Sequence, residues 1–248
     1  MELTPHLHRV GNDIVACYLV SDSSGVTLVD AGLAGQWGEF VAELEAMGHT
    51  PADVRAVLLT HGDEDHIGFA ERLRSEYGVP VRVHEADAGR ARGEGKPSTG
   101  WGRVRPGALL RFLWYAARKG GFRTTYLTSV QTFADGDVLD VPGAPKVIPL
   151  PGHSPGSVAY YFAGVDALFV GDALTTRHVL TGADGPAPAP FTDDPGQADA
   201  SLSALDGVTA RWVLPGHGTP WAGGVAEAVR HYRAAPLDRE RTDRHERA

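Results

Sequence analysis

The sequence predicts a layered α/β fold, and three observations carry that prediction. Strand-length apolar runs alternate with amphipathic helical patterns early in the chain. Strands return through the second half, and several of them end in polar turns bearing His or Asp. The chain has 248 residues, 42% hydrophobic and 22% charged. That is room for one sizeable domain with its own core, at the average make-up of a soluble globular protein. One domain over 1–235 is expected, then a charged tail over 236–248 that should fray.

Strand signals at Ile14–Ser21 and Val26–Asp30 flank the turn-forming Asp22-Ser23-Ser24-Gly25. Trp37, Phe40, Val41, Leu44 and Met47 recur at helical spacing, closed by Gly48. Val54–Thr60 suits a buried strand, with His61–His66 directly after it. Ile67, Ala70, Leu73 and Tyr77 mark a second amphipathic helix ending at Gly78, and Val79–His84 a further strand. Residues 85–130 break the rhythm as a helical insert. A Gly- and Arg-rich loop leads to Pro106-Gly107, then Ala108–Lys119 reads as a helix apolar nearly all round, either buried or covering something. Strands resume at Gln131–Phe133, Val138–Val141, Lys146–Leu150, Ser157–Ala163 and Ala167–Val170. A Pro-rich loop, Gly185–Pro190, precedes a helix capped by Asp194 with Pro195 in its first position. Arg211–Leu214 is the last strand and Ala222–Ala234 the last helix.

Composition narrows the function. Cys17 is the sole cysteine, so no intramolecular disulfide can form, and its strand-like setting reads as buried packing. No secretory leader is visible at the N-terminus, and no apolar run approaches the ~20 residues of a membrane helix. The expectation is a cytoplasmic protein without a membrane partner. A net charge of −8 argues against nucleic acid. Between Arg90 and Arg123, nine basic residues and one acid give +8, which leaves −16 on the remainder. That basic segment, with the apolar helix 108–119, fits either a lid over a substrate having an apolar part and an anion, or a homodimer interface with solvated arginines.

The chemistry sits at strand ends. Leu58-Leu59-Thr60 runs into His61-Gly62-Asp63-Glu64-Asp65-His66; Val147–Leu150 into Pro151-Gly152-His153; Leu168–Val170 into Gly171-Asp172; Trp212–Leu214 into Pro215-Gly216-His217-Gly218. Leu28-Val29-Asp30 has the same form. Strand ends are rigid platforms, and imidazole with carboxylate suits zinc, iron or manganese.

This ordered set, His-x-x-x-Asp-His, Pro-Gly-His-Ser-Pro-Gly, Gly-Asp-Ala and Pro-Gly-His-Gly, resembles the motifs of the metallo-β-lactamase superfamily over roughly residues 14–225. The resemblance implies a four-layer αββα sandwich with a two-metal cleft. Carried over, His61 and His153 would bind the first metal, and Asp65, His66 and His217 the second. Asp172 would bridge them, and Asp30 would stand behind a ligand and orient it. The family's first motif is usually His-x-His-x-Asp-His; here Asp63 replaces the second His, and it is expected to ligate. A carboxylate there makes the first position harder and more anionic, its metal a weaker Lewis acid, and affinity uneven. Two zinc ions are expected, with iron or manganese admissible at the first position. The family's chemistry implies hydrolysis of an ester, thioester, lactone or β-lactam-like amide by metal-bound hydroxide, with Asp65 and Asp172 as catalytic groups. A mono-iron oxygenase or redox enzyme and a non-catalytic binding protein are the alternatives. The fold name selects no substrate.

Overall fold

Successive residues of a strand point to opposite faces, so a strand with consecutive apolar residues needs a packed layer on each side. The computed structural model, which describes residues 1–95 and 102–235, supplies both layers. One sheet has seven strands in chain order: β1 (Glu2–Thr4), β2 (Leu7–Gly11), β3 (Ala16–Asp22), β4 (Gly25–Val29), β5 (Val54–Leu58), β6 (Val81–His84) and β7 (Gln131–Phe133). β1 to β4 pair antiparallel, and β4 to β7 run parallel. Its helices are α1 (Trp37–Ala46), α2 (Glu64–Ile67), α3 (Ala70–Tyr77), α4 (Ala88–Ala91) and α5 (Pro106–Arg118).

The second sheet comprises β8 (Lys146–Pro149), β9 (Val158–Phe162), β10 (Ala167–Gly171) and, beyond the ribbon β11 (Thr175–His178) and β12 (Ala183–Ala187), β13 (Trp212–Pro215). Its order is β13-β10-β9-β8, and α6 (Pro195–Ser201) and α7 (Val225–Ala234) complete the helices. Leu28 and Val57 face Phe40, Leu44 and Leu73 of the helical layer. Their neighbours Val29 and Leu58 face Tyr160, Phe162 and Phe169 across the two sheets. Leu168 and Val213 point the other way, onto Leu202, Leu205, Ala228 and Tyr232. Three cores between four layers make the αββα sandwich.

The elements depart from the sequence pattern where distant partners decide. β1 and β2 precede the first strand legible in the sequence. His8 and Arg9 disguise β2, and Arg9 is buried because Nη2 donates to the Gly218 carbonyl at 2.7 Å. Val138–Val141 contributes only a bridge from Val138 to Lys146, since the chain folds back there with Ala144 N–H bonded to the Val141 carbonyl. Ala183–Ala187 pairs with β11, covering part of the expected Pro-rich loop; a two-stranded ribbon edge tolerates Pro186. The helix expected from Ile67 to Tyr77 is two. Gly68 packs so tightly on the loop after β4 that a Cβ would lie 2.5 Å from Leu33 Cα, and its N–H bonds to Gly32. α5 is buried along one stripe only. Tyr115 packs with Ile14, Leu33 and Leu180, while Leu110 and Trp114 are 67% and 62% exposed. Cys17 is buried, the expected tail 236–248 lies outside the described residues, and no described helix is long and apolar enough to cross a membrane.

β8 and β10 run the same way across β9, and β10 is parallel to β13. Their carboxyl ends therefore share one rim, as do those of the parallel pair β4 and β5 on the facing sheet.

Candidate metal centre

Each of these five strand ends delivers side chains to the rim: Asp30 after β4, His61 to His66 after β5, His153 after β8, Asp172 after β10 and His217 after β13. Three groups of potential ligand atoms gather there, each within 4.8 Å: His61, Asp63 and His153; Asp65, His66 and His217; and His61, His66 and Asp172. Asp172 stands between the first two groups. Its Oδ2 is 3.0 Å from His217 Nε2 and 3.8 Å from His153 Nε2, and its Oδ1 is 3.5 Å from His66 Nε2. Asp65 lies 3.4 Å from His217 Nε2 and is more exposed than the other six.

All four imidazoles are anchored through Nδ1. His66 Nδ1 donates to Asp30 Oδ2 at 2.9 Å. His61 Nδ1 donates at 3.0 Å to the Thr60 hydroxyl, which in turn donates to Asp30. His153 Nδ1 donates at 3.2 Å to the Thr192 hydroxyl, and His217 Nδ1 donates to the Ile14 carbonyl. Nε2 is thus the nitrogen each ring presents to the shared space, an arrangement typical of metal-ligating histidine. Asp30 serves two of these rings from a left-handed backbone (φ 59°), uncommon outside glycine, and also accepts the Thr60 amide at 2.8 Å.

Three buried atoms at the centre, His61 Nε2, His66 Nε2 and Asp172 Oδ1, have no hydrogen-bond partner. Buried polar atoms are rarely left so, and a cation among them would satisfy all three. Gly216 preserves the opening: a Cβ there would sit 2.5 Å from His66 Cε1 and 2.7 Å from Asp172 Oδ1. Electrostatics point the same way. Burial opposes ionisation of Asp172, but His217 and His66 outweigh it and hold the carboxyl well below the usual range. Burial likewise opposes charge on His66 and His217. Asp30 and Asp172 nonetheless raise His66 well above its ordinary value, and Asp172 with Asp65 raises His217 to about 9. For His61 burial prevails, reinforced by His66, and its pKa is lowered.

Asp63 occupies the N-cap of α2 yet makes no capping bond with its side chain. Its Oδ2 is 3.2 Å from His153 Nε2 and 3.5 Å from His61 Nε2. The Arg90 guanidinium pairs with it side-on, Nε to Oδ1 and Nη2 to Oδ2 at 3.0 Å, and bonds Asp193 through Nη1 at 2.7 Å. Burial opposes the Asp63 charge, but the adjoining His153 and His61 rings hold its carboxyl well below the usual range. The extra negative charge expected from the sequence therefore meets a buried cation that the pattern of motifs does not reveal.

Asp87 is the other residue sequence reasoning missed. Fully buried, it accepts from the Gly62 amide at 2.8 Å, the Gly156 amide at 2.7 Å and the Ser154 hydroxyl at 2.6 Å. It pins the loop bearing His61 and Asp63 to the loop bearing His153. Its only sequence signal is an acid opening the basic insert, and nothing local distinguishes it.

Comparison with known families matches residues 10–217 to the metallo-β-lactamase superfamily. The chain is 27% identical over 234 residues to the probable metallo-hydrolase YflN of Bacillus subtilis (strain 168), covering 90% of this chain and 87% of that protein. Among solved structures, the metallo-beta-lactamase family protein TTHA1429 from Thermus thermophilus superposes with a TM-score of 0.66 at 26% identity, covering 94% of this chain and 81% of that one. TTHA1623 in a di-iron-bound form superposes with a TM-score of 0.63 at 26% identity, covering 92% and 98%.

Proposed function

The chain belongs to the metallo-β-lactamase superfamily, and from that premise we propose that it is a two-metal hydrolase of an acyl bond. The observation that carries this reading is the set of four imidazoles anchored at Nδ1, their Nε2 atoms facing a space with three partnerless buried atoms. His61, Asp63 and His153 would hold the first metal, and Asp65, His66 and His217 the second, with Asp172 shared. Two divalent ions held there would supply Lewis acidity for a carbonyl and would bring the pKa of water toward neutrality. The residues do the rest. Asp30 keeps His61 and His66 in one tautomer, Asp172 ties the two positions together, and Asp65, the most accessible of the ligand carboxylates, orients water and takes up its proton.

Zinc suits this mixed imidazole and carboxylate set. The di-iron relative at 26% identity is the observation that favours iron instead. For the substrate, an ester, thioester, lactone or β-lactam-like amide is the class that suits two-metal acyl hydrolysis; the apolar cluster of Ile14, Leu33, Tyr115 and Leu180 is itself buried. The Ile14 carbonyl accepts from His217, so this cluster adjoins the site. The helix α5, whose Tyr115 packs on this cluster, is the lid proposed. An anionic substrate group is less supported than the basic count implies, because Arg90, Arg92 and Lys119 are committed to Asp63, Glu94 and Glu39. The outer face of α5, with Leu110 and Trp114, is the surface proposed for a homodimer. A lone buried cysteine suits a reducing, cytoplasmic compartment.

The test is metal analysis of the purified protein with a panel of thioester, lactone, ester and β-lactam substrates. Two metals per chain and turnover abolished by Asp172→Asn are expected. Full metal content with no hydrolysis of any acyl class would favour a non-catalytic protein, and iron with oxygen consumption a redox enzyme.

A further inference from the structure

We propose that Arg90 acts through Asp63 to set the charge of the first metal position: paired side-on with Asp63, it makes a carboxylate stand in for a neutral imidazole. The inference rests on the two-metal reading above and concerns one of its positions.

The geometry of the pair is specific. An Asp at a helix N-cap ordinarily turns its oxygen to the free amides of the first turn; the side chain of Asp63 makes no such bond. Arg90 takes both its oxygens instead, through Nε and Nη2, the two-pronged arrangement that a planar guanidinium forms and an ammonium cannot. With both oxygens engaged, the carboxylate cannot rotate freely, and Oδ2 stays turned to His153 and His61. Asp193 holds the guanidinium by its remaining nitrogen, so the head is fixed from both edges.

Charge gives the pair its function. Arg90 and Asp63 side chains are only 9% and 13% exposed, so their fields are weakly screened, and Asp193, at 22%, is present in every variant compared and leaves the differences in charge unchanged. A carboxylate and a guanidinium sum to zero, the charge of the imidazole that the related motif carries. Arginine does not lose its proton in proteins, so this balance holds at every working pH. Asp63 alone would overcharge the first position. A histidine at 63 beside an unchanged Arg90 would set a buried cation against the incoming metal.

Affinity for the first metal should therefore follow the summed charge at positions 63 and 90. Metal-free wild type, Asp63→His, Arg90→Met and the double variant are titrated with zinc against a competing chelator. Stoichiometry is read by elemental analysis and folding by circular dichroism. Wild type is expected to take up two zinc ions. Asp63→His should keep one and bind the other at least about tenfold more weakly, since a buried like charge a few ångströms away is strongly repulsive. The double variant, neutral again, should return to within about threefold of wild type. Arg90→Met should bind the first zinc at least about tenfold more tightly, the gain in net negative charge outweighing the freed rotation. Asp63→His binding as tightly as the double variant, or Arg90→Met binding more weakly than wild type, overturns the role of Arg90. Should Arg90→Met fail to fold, the comparison of Asp63→His with the double variant decides alone. Wild type saturating below two zinc ions refutes the two-metal reading itself.

Discussion

Replacing Asp87 with alanine removes a carboxylate shared by two loops of the centre. The Gly62 and Gly156 amides and the Ser154 hydroxyl then lose their buried acceptor. Each buried donor left unpaired costs about 1–3 kcal/mol, which brackets the loss between about 3 and 9 kcal/mol. Water entering the polar void satisfies part of this, and the desolvation of a buried carboxylate is recovered. The expected loss is therefore about 3–5 kcal/mol, against a typical total of about 5–15 kcal/mol. At about 2–4 °C per kcal/mol for a chain of this size, the unfolding midpoint should fall by roughly 6–20 °C. Calorimetry and urea unfolding of the metal-free protein measure it. The variant should also lose the first zinc before the second, because Asp87 bonds the segments of Asp63 and His153 and none bearing His217 or Asp172. A change below about 1 kcal/mol, with both zinc affinities intact, would refute the claim that Asp87 holds these loops.

Three further outcomes follow from the same contacts. Thr60→Val, nearly isosteric, cuts the link from His61 to Asp30 and should weaken zinc binding by about 10–100-fold, with Thr60→Ser restoring it; equal affinities in a chelator competition would refute the relay. Gly216→Ala drives a methyl between His66 and Asp172, so zinc content should fall while the circular dichroism spectrum is kept; full content would show that the opening tolerates a Cβ. In the metal-free protein, His217 is raised from 6.5 to about 9, so the folded state holds a proton that the unfolded chain has released. That stability is full below pH 6.5 and is lost as pH rises toward 9, so the urea midpoint should drop across this window; a midpoint that rises would contradict it.

What the sequence reveals and what it hides differ for a physical reason. β10 is legible because both faces are buried, which leaves the uninterrupted apolar run Ala167–Val170, and β5 because all its residues but Arg55 are buried. The ligand candidates are legible because each directly follows such a run. β2 is hidden because Arg9 is buried against a carbonyl 209 residues away, and β12 because its partner strand supplies the order that its own Gly185 and Pro186 withhold. Asp87 and Arg90 are hidden for the same reason. Asp87 meets the Gly62 and Gly156 amides 25 and 69 residues away, and Arg90 meets Asp63 and Asp193 27 and 103 residues away. In the sequence, Arg90 is one of nine basic residues; in the fold it is the one that answers Asp63.

The two metal positions are thus held by different means. Around the second, His66 is anchored on Asp30 at the end of β4, and His217 on a backbone carbonyl of the segment before β3. Both supports lie within two residues of a strand of the seven-stranded sheet. Around the first, Asp63 is held by Arg90 and the loops by Asp87, two side chains within one turn of each other at α4, while His153 leans on the hydroxyl of Thr192. All three are side-chain contacts from segments outside the two sheets. One short helical turn therefore sets the order and charge of the first position while leaving the second to the framework. It follows that substitutions at 87 and 90 should separate the two affinities, and substitutions at Asp30, which reaches His66 directly and His61 through Thr60, should lower both together.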